Sequence, residues 1–226
     1  MILIFNTIID GKARDYFTGR IAPRITSGRT FQIMYLEDDL PKAEEFSHLL
    51  ITGSELSAAT GSKWDEKIIT VIKLFLQAAK PVLGICHGHQ MIARAIAGDD
   101  VCRRAPEPEF GWKRMEITDN ALFTGIVEPV FLESRYDEVC NLPLDFRIIA
   151  YNGKAEVQAF QYGDLPVWGV QFHPEMLLED GNRMLEKHLE KNPPDRKFRV
   201  DELSDPAAVE HNLTIFENFF RMQNPA

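Results

Sequence analysis

The chain contains few cysteines and no cluster of metal-ligand spacing. Its three cysteines, Cys86, Cys102 and Cys140, are an odd and sparse set in 226 residues. Neither a disulfide framework nor a zinc site is therefore predicted, and we expect no metal and no cofactor. The set is compatible with a single reactive thiol.

Basic residues and long apolar runs are also scarce. Lys and Arg number 25 against 34 Asp and Glu, which gives a formal net charge of −9. Such a chain would not attract nucleic acid or an anionic membrane at long range, so neither is an expected partner. No apolar run approaches the length of a membrane span, and Met1 to Asn6 lack the basic region of a signal peptide. We expect a cytoplasmic enzyme that acts on a small molecule.

The hydrophobic pattern favours one α/β domain over residues 1–226. At 45% hydrophobic and 26% charged residues, the chain can bury a full core. Strand-like and helical runs alternate in the first half, and strand-like runs dominate afterwards. The expected strands include 1–9, 31–36, 48–52, 81–86, 130–134, 146–151 and 157–162, and the expected helices include 64–80, 90–97 and 180–191. A C-terminal helical extension is predicted from about 179 to 226, and it ends in a helix over 206–222.

The stretch around Cys86 has the pattern of a nucleophile elbow. An apolar run stops at the cysteine, and a helical pattern follows at once. Gly84 and Gly88 lack Cβ atoms, so we expect a tight turn that presents the sulfur beside a helix N-terminus. A lone cysteine is more often a buried structural thiol, but the two glycines and Gln90 favour the elbow.

His173 and Glu175 are the expected partners of this cysteine. They follow a buried strand-like run, and residues two apart in an extended chain lie on the same face. His173 would act as the base and Glu175 would orient it, which is the logic of a catalytic triad with Cys in place of Ser. Backbone N–H groups from His87 and from Gly53-Ser54 could stabilise an oxyanion. Acyl transfer through a thioester is the implied reaction class.

Three segments together resemble the class I glutamine amidotransferases: Ile51-Thr-Gly53-Ser54, Gly84-Ile-Cys86-His-Gly88-His-Gln90 and Gln171-Phe-His173-Pro-Glu175. The resemblance covers about residues 1–178. It implies a flavodoxin-like, open and mostly parallel sheet flanked by helices, with a nucleophile elbow and a smaller antiparallel β portion. It also implies that Cys86 attacks the side-chain amide of glutamine, ammonia leaves, and water hydrolyses the γ-glutamyl thioester.

The resemblance assigns roles to further residues. His173 and Glu175 match the other two triad members, the Gly53 and His87 amides match the oxyanion hole beside Ser54, and Gln90 matches a substrate-holding residue. A loop that contacts the glutamine α-carboxylate and α-amine through its backbone aligns with Ser134, Arg135 and Tyr136. Two departures stand out, since Arg135 replaces a family histidine and His87 replaces a bulky apolar or aromatic residue.

Three functions remain open from the sequence. The match is nearest to free-standing members similar to the amidotransferase domain of GMP synthase and to γ-glutamyl peptidases. Because no synthetase domain follows, glutamine hydrolysis would supply ammonia to a separate synthetase subunit. The substrate could instead be a γ-glutamyl compound such as glutathione. A non-catalytic, partner-binding domain is the third possibility, and the intact triad argues against it.

Overall fold

Apolar runs in the first half of the chain form the centre of an eight-stranded sheet. In the computed structural model, which describes residues 1–223, the strands are β1 (Ile2–Asn6), β2 (Phe31–Tyr35), β3 (His48–Ile51), β4 (Val82–Ile85), β5 (Cys102–Arg114), β6 (Glu116–Ile117), β7 (Val130–Val139), β8 (Phe146–Tyr151), β9 (Ala159–Tyr162) and β10 (Val167–Val170). Strand order in the large sheet is β2-β1-β3-β4-β10-β9-β8-β6. The first five of these are mutually parallel, and the last three pair antiparallel.

Helices cover both faces of this sheet. They are α1 (Gly11–Tyr16), α2 (Ala22–Ile25), α3 (Asp65–Gln77), α4 (His87–Ala97), α5 (Leu178–Lys191) and α6 (Thr214–Arg221), with a π-helical turn at Phe17–Ile21 and 3-10 turns at Ala43–Glu45, Asp99–Val101, Ala121–Phe123, Pro193–Phe198 and Pro206–Leu213. One apolar cluster places α6 and the N-terminal helices on one face, and a second places α3 and α4 on the other. The parallel strands are buried on both sides, which explains their unbroken apolar runs.

A small antiparallel sheet of β5 and β7 lies beside the large one. One face of the small sheet packs its apolar residues Phe110, Trp112 and Leu132 with Leu185 of α5. The predicted fold class, an open and mostly parallel sheet with flanking helices and a smaller antiparallel part, is confirmed.

Several element bounds differ from the predictions. Helix α4 begins at His87, three residues earlier than expected, because the chain enters the helix directly after Cys86. The predicted helix over 206–222 is a 3-10 segment followed by the short α6, and Pro206 begins it. Strand β7 continues to Val139, so residues 134–136 lie in a strand and not in a loop. Residues 224–226 of the predicted extension lie outside the described residues.

Candidate active site

Cys86 occupies a sharp turn between β4 and α4. Its φ is +51° and its ψ is −106°, a conformation that costs a non-glycine residue about 1–3 kcal/mol. The surrounding pairing holds it there, since the Cys86 N–H donates to the Val170 carbonyl at 2.8 Å and its carbonyl accepts from the Gln90 N–H at 3.1 Å. The predicted strand–turn–helix geometry at this cysteine is therefore present.

Gly84 and Gly88 allow β4 and α4 to pack closely, but neither glycine adopts the left-handed conformation of the turn. A Cβ on Gly84 would lie 2.4 Å from the Gly88 carbonyl carbon and oxygen, and one on Gly88 would lie 2.7 Å from the Ile51 carbonyl oxygen. Both positions therefore need glycine because backbone approaches backbone. The left-handed φ falls on Cys86.

His173 and Glu175 contact each other near the end of β10. The His173 Nδ1 atom lies 2.7 Å from Glu175 Oε1, and both residues are buried. The strand stops at Val170, and a turn over residues 173–175 brings the two side chains together. The predicted pair therefore forms, although by a different backbone geometry from the extended one expected. The backbone N–H of His173 also donates to the Leu132 carbonyl at 2.9 Å, which connects this residue to β7.

The charge balance around His173 favours its protonated form. Burial acts to lower the pKa of this imidazole, but the Glu175 carboxylate, the Cys86 sulfur and hydrogen bonds to both hold the pKa well above its ordinary value. Cys86 is therefore close enough to interact directly with the ring. A histidine beside a cysteine is one of the arrangements that activate the sulfur as a nucleophile.

Gly53 lies against the cysteine and the histidine. A Cβ at this position would be 3.0 Å from His173 Cε1 and 3.4 Å from Cys86 Cβ. The next residue, Ser54, donates its hydroxyl to the Thr7 carbonyl at 2.6 Å and so fixes the turn after β3. Residues from three parallel strand ends thus converge at one point, as expected for ligand sites in open α/β sheets.

His87 and Gln90 lie on the first turn of α4, and both are buried. Burial lowers the pKa of His87 to about 4, so its imidazole is neutral at physiological pH. This environment suits the apolar residue that the family usually has here. The Gln90 side-chain amide donates to the Asp137 carbonyl at 3.2 Å and to Gln171 Oε1 at 3.0 Å, so it connects α4 to β7.

The three predicted residues of β7 are placed on opposite faces of the strand. Arg135 is buried and ion-paired with Glu109. Tyr136 lies on the other face, where its hydroxyl donates to Asp195 and its ring packs edge-on against Phe110. Ser134 is half-buried and pairs with Phe110 in the β5–β7 ladder. Neither the Arg135 nor the Tyr136 side chain is engaged with Cys86 or His173.

Residues 17–192 match the family model described as glutamine amidotransferase class-I. The chain belongs to this family. The matched region contains the elbow, the histidine–glutamate pair and β7. Its membership makes the chain a class I glutamine amidotransferase.

Curated relatives agree with this assignment. A glutamine-hydrolysing GMP synthase subunit of Methanococcus aeolicus is 36% identical over 143 residues, which cover 62% of this chain and 73% of the relative. The corresponding GMP synthase subunit of Pyrococcus furiosus is 41% identical over 98 residues, which cover 42% of this chain and about half, 51%, of the relative.

The fold is shared with glutamine amidotransferases of known structure. That of Thermotoga maritima has a TM-score of 0.73 at 19% identity and covers 98% of this chain and 99% of its own. The glutamine amidotransferase of Methylobacillus flagellatus has a TM-score of 0.72 at 19% identity, and the match covers 100% of this chain and 96% of that one. No helix within residues 1–223 has the length and hydropathy needed to cross a membrane.

The amidotransferase site also contains charged residues that the sequence did not single out. On the face of the small sheet that carries Arg135, Glu133 is fully buried, and neither carboxylate oxygen has a hydrogen-bond partner within residues 1–223. Burial and the nearby Glu109 raise the pKa of Glu133 to about 8, against the opposing effect of Arg135, His173 and Lys113. The only sequence signal was the spacing of Glu133, Arg135 and Asp137 at every second residue of β7, which puts the three side chains on one face.

A second contact that the sequence did not predict supports the turn that carries Glu175. Arg24, on α2, donates to the backbone carbonyl of Glu175 at 2.6 Å and to Asp180 Oδ2 at 2.8 Å. It therefore joins the turn that carries Glu175 to the start of α5. Nothing in the local sequence around Arg24 indicated this contact, because it spans more than 150 positions of the chain.

Proposed function

We propose that this chain hydrolyses the side-chain amide of glutamine through a covalent thioester on Cys86. The Cys86 thiolate adds to the amide carbon, and the N–H groups of Gly53 and His87 stabilise the oxyanion. The His173 imidazolium protonates the departing nitrogen, and ammonia leaves with the thioester formed. The same histidine, now neutral, takes a proton from water, which attacks the thioester carbon and releases glutamate and the thiolate.

Glu175 has an orienting role in this proposal. Its contact of 2.7 Å to His173 Nδ1 fixes the ring orientation and leaves Nε2 for Cys86 and the reacting groups. The observation that carries the proposal is the joint placement of a strained cysteine, this histidine–glutamate pair and Gly53. We also propose that the chain is one domain over 1–226 and passes its ammonia to a separate synthetase, as the naming of its relatives as GMP synthase subunits suggests.

The test is ammonia release from glutamine by the purified protein. We expect Cys86→Ala to abolish it and Glu175→Gln to reduce kcat by about 10²–10⁴-fold, the range associated with general acid–base groups. Cys102→Ala is the matched control, because Cys102 is buried away from the pair and its pKa is raised to about 12, chiefly by burial. Equal release by wild type and Cys86→Ala would refute the mechanism.

Activity without a synthetase can be low, so covalent labelling provides an independent readout. An electrophilic glutamine analogue should add one label per chain, and peptide mass spectrometry should locate it on Cys86. A label on Cys140, the half-exposed cysteine, in place of Cys86 would contradict the assignment of the nucleophile.

A further inference from the structure

A cavity of about 320 Å³ lies between β5 and the C-terminal segment. This size is at the lower end of the range for small-molecule sites. Its lining is rich in charged residues: Glu107, Glu109, Lys113, Lys154 and Lys197, with Pro108, Phe198 and Val200. The function proposed above does not use this cavity.

The outer wall of the cavity is fixed to β5 by the backbone. The Val200 N–H donates to the Phe110 carbonyl at 3.0 Å, and the Glu202 N–H donates to the Trp112 carbonyl at 2.7 Å. Between them Gly111 has a φ of +113°, and a Cβ there would lie 2.2 Å from the Val200 carbonyl oxygen. Only glycine permits this approach, so the wall is a built part of the fold.

Lys113 is a largely buried lysine that forms no ion pair within residues 1–223. Only 6% of its surface is exposed, and no carboxylate within residues 1–223 lies inside 4.0 Å of its ammonium. The two glutamates of the cavity are already engaged. Glu109 accepts from Arg135, Asn152 and Gln158, and Glu107 pairs with Lys154. Burying an unpaired ammonium is costly unless a partner compensates it.

Lys197 adds a second cation without an ion pair in the described part of the chain. It is exposed at the open side and lies over the Phe198 ring at 4.7 Å. The cavity is therefore lined by one largely buried lysine and one exposed lysine, neither of them in an ion pair within residues 1–223. A group that bears negative charge would be attracted by both.

The cavity is close to the catalytic pair. Strand β7 lies between β5 and the His173 backbone, so about two strand spacings, roughly 10 Å, separate them. Burial is the main cause that raises the pKa of Glu133, and the charges of His173 and Lys113 act to lower it. Both residues therefore lie near the Glu133 carboxyl group. One extended residue spans at most about 3.6 Å, so a γ-glutamyl peptide held at Cys86 would have to extend past β7 to reach Lys113.

We infer that this cavity is an anion-binding site, in which Lys113 and Lys197 hold a carboxylate or phosphate group. The anion could be part of the acyl donor, such as the terminal carboxylate of a γ-glutamyl peptide, or a separate small acid. The first source rests on the proposed function, because it requires the γ-glutamyl group to reach Cys86. The second source does not.

The kinetic arm compares γ-glutamylglycine with glutamine as substrates. If the donor supplies the anion, Lys113→Met should raise KM for γ-glutamylglycine about tenfold or more and change KM for glutamine less than twofold. Lys197→Met should act in the same direction with a smaller change, and it removes no buried group. Lys73→Met, at an exposed lysine on α3, is the control.

The binding arm uses titration calorimetry with inorganic phosphate and with γ-glutamylglycine on the Cys86→Ala protein, so that it does not depend on turnover. Binding of either probe that weakens at least tenfold on Lys113→Met or Lys197→Met supports the site, and the probe that binds identifies the source. Probe binding, together with a wild-type protein that neither releases ammonia nor is labelled at Cys86, would refute only the proposed function. If neither probe binds, or if both lysine variants bind like Lys73→Met, the anion site is refuted.

Discussion

The side of the site that carries Cys86 is built mainly from glycines and closely packed backbone, whereas the neighbouring face of the small sheet buries charges of both signs. The first side, here called the cysteine wall, consists of Gly53, Gly84, Cys86 and Gly88. A Cβ added to any of its three glycines would lie only 2.4 to 3.0 Å from the nearest neighbouring atom. On the second, here called the charged face, Glu109, Lys113, Glu133 and Arg135 are each less than 7% exposed. The first region leaves little room for an added atom, and the second concentrates buried charges.

This difference suggests separate tasks for the two regions. A nucleophile must be held within a fraction of an ångström, which close packing achieves. Recognition of a charged substrate group needs fixed counter-charges in a dry environment, and buried ions provide these at a cost in stability. Substitutions in the two regions should therefore affect stability and activity in different ways.

The largest expected effect is on the cysteine wall, from Gly84→Ala. The added Cβ would meet the Gly88 carbonyl at 2.4 Å and the His89 nitrogen at 2.7 Å, so α4 would have to move away from β4. We expect a loss of about 4 kcal/mol or more in the free energy of unfolding, as for severe overpacking of a core. Urea denaturation measures this. Gly153→Ala, where a Cβ would meet nothing within 4 Å, is the control, and equal stability of the two variants would contradict the packing argument.

The next effect is on the charged face, from Glu133→Gln. The pKa of Glu133 is raised to about 8, chiefly by burial, against about 4.3 when unfolded, so wild type loses stability as the pH rises between these values. The Glu133→Gln variant has no ionisable group at this position, so it does not lose stability in this way. We expect it to be more stable than wild type by on the order of 5 kcal/mol at pH 9, with little difference at pH 4.

Urea denaturation at pH 4, 7 and 9 tests the Glu133 prediction. Glu44→Gln, at an exposed glutamate, provides the comparison for a carboxyl group in water. A stability difference between Glu133→Gln and wild type that stays constant over this pH range would show that the buried carboxyl group is not the cause.

Gly53→Ala should reduce activity while it leaves the fold intact. The new methyl group would press on His173 Cε1 at 3.0 Å and on Cys86 Cβ at 3.4 Å. A small displacement of these two groups should lower kcat about 10²-fold, equivalent to roughly 2.7 kcal/mol in the barrier. Ammonia release and the midpoint of urea denaturation should both be measured for the variant, because an unchanged midpoint shows that the loss of activity is not caused by unfolding. Wild-type kcat in a folded variant would show that Gly53 does not constrain the pair.

How well the sequence predicts each region depends on the range of the contacts. The elbow and the His173–Glu175 pair follow from local patterns, because a glycine spacing or a two-residue spacing constrains nearby backbone. The charged face depends on the pairing of β5 with β7, where Glu109 meets Arg135 across 26 positions of the chain. No local pattern specifies that register, so the sequence predicts a loop at residues 134–136 and does not single out Glu133 and Lys113.

The smallest expected effect is at the solvent-exposed edge of β5, from Arg114→Ala. Arg114 follows Lys113 but points to the opposite side of the strand, where its guanidinium lies 2.8 Å from Glu128. The two side chains are 47% and 48% exposed, so water screens the pair and its contribution should be below about 1 kcal/mol. A double-mutant cycle with Glu128→Ala isolates the coupling energy. A coupling well above that limit would mean that charge pairs contribute alike on both faces of β5, and burial would then no longer explain why the charged face differs from its surroundings.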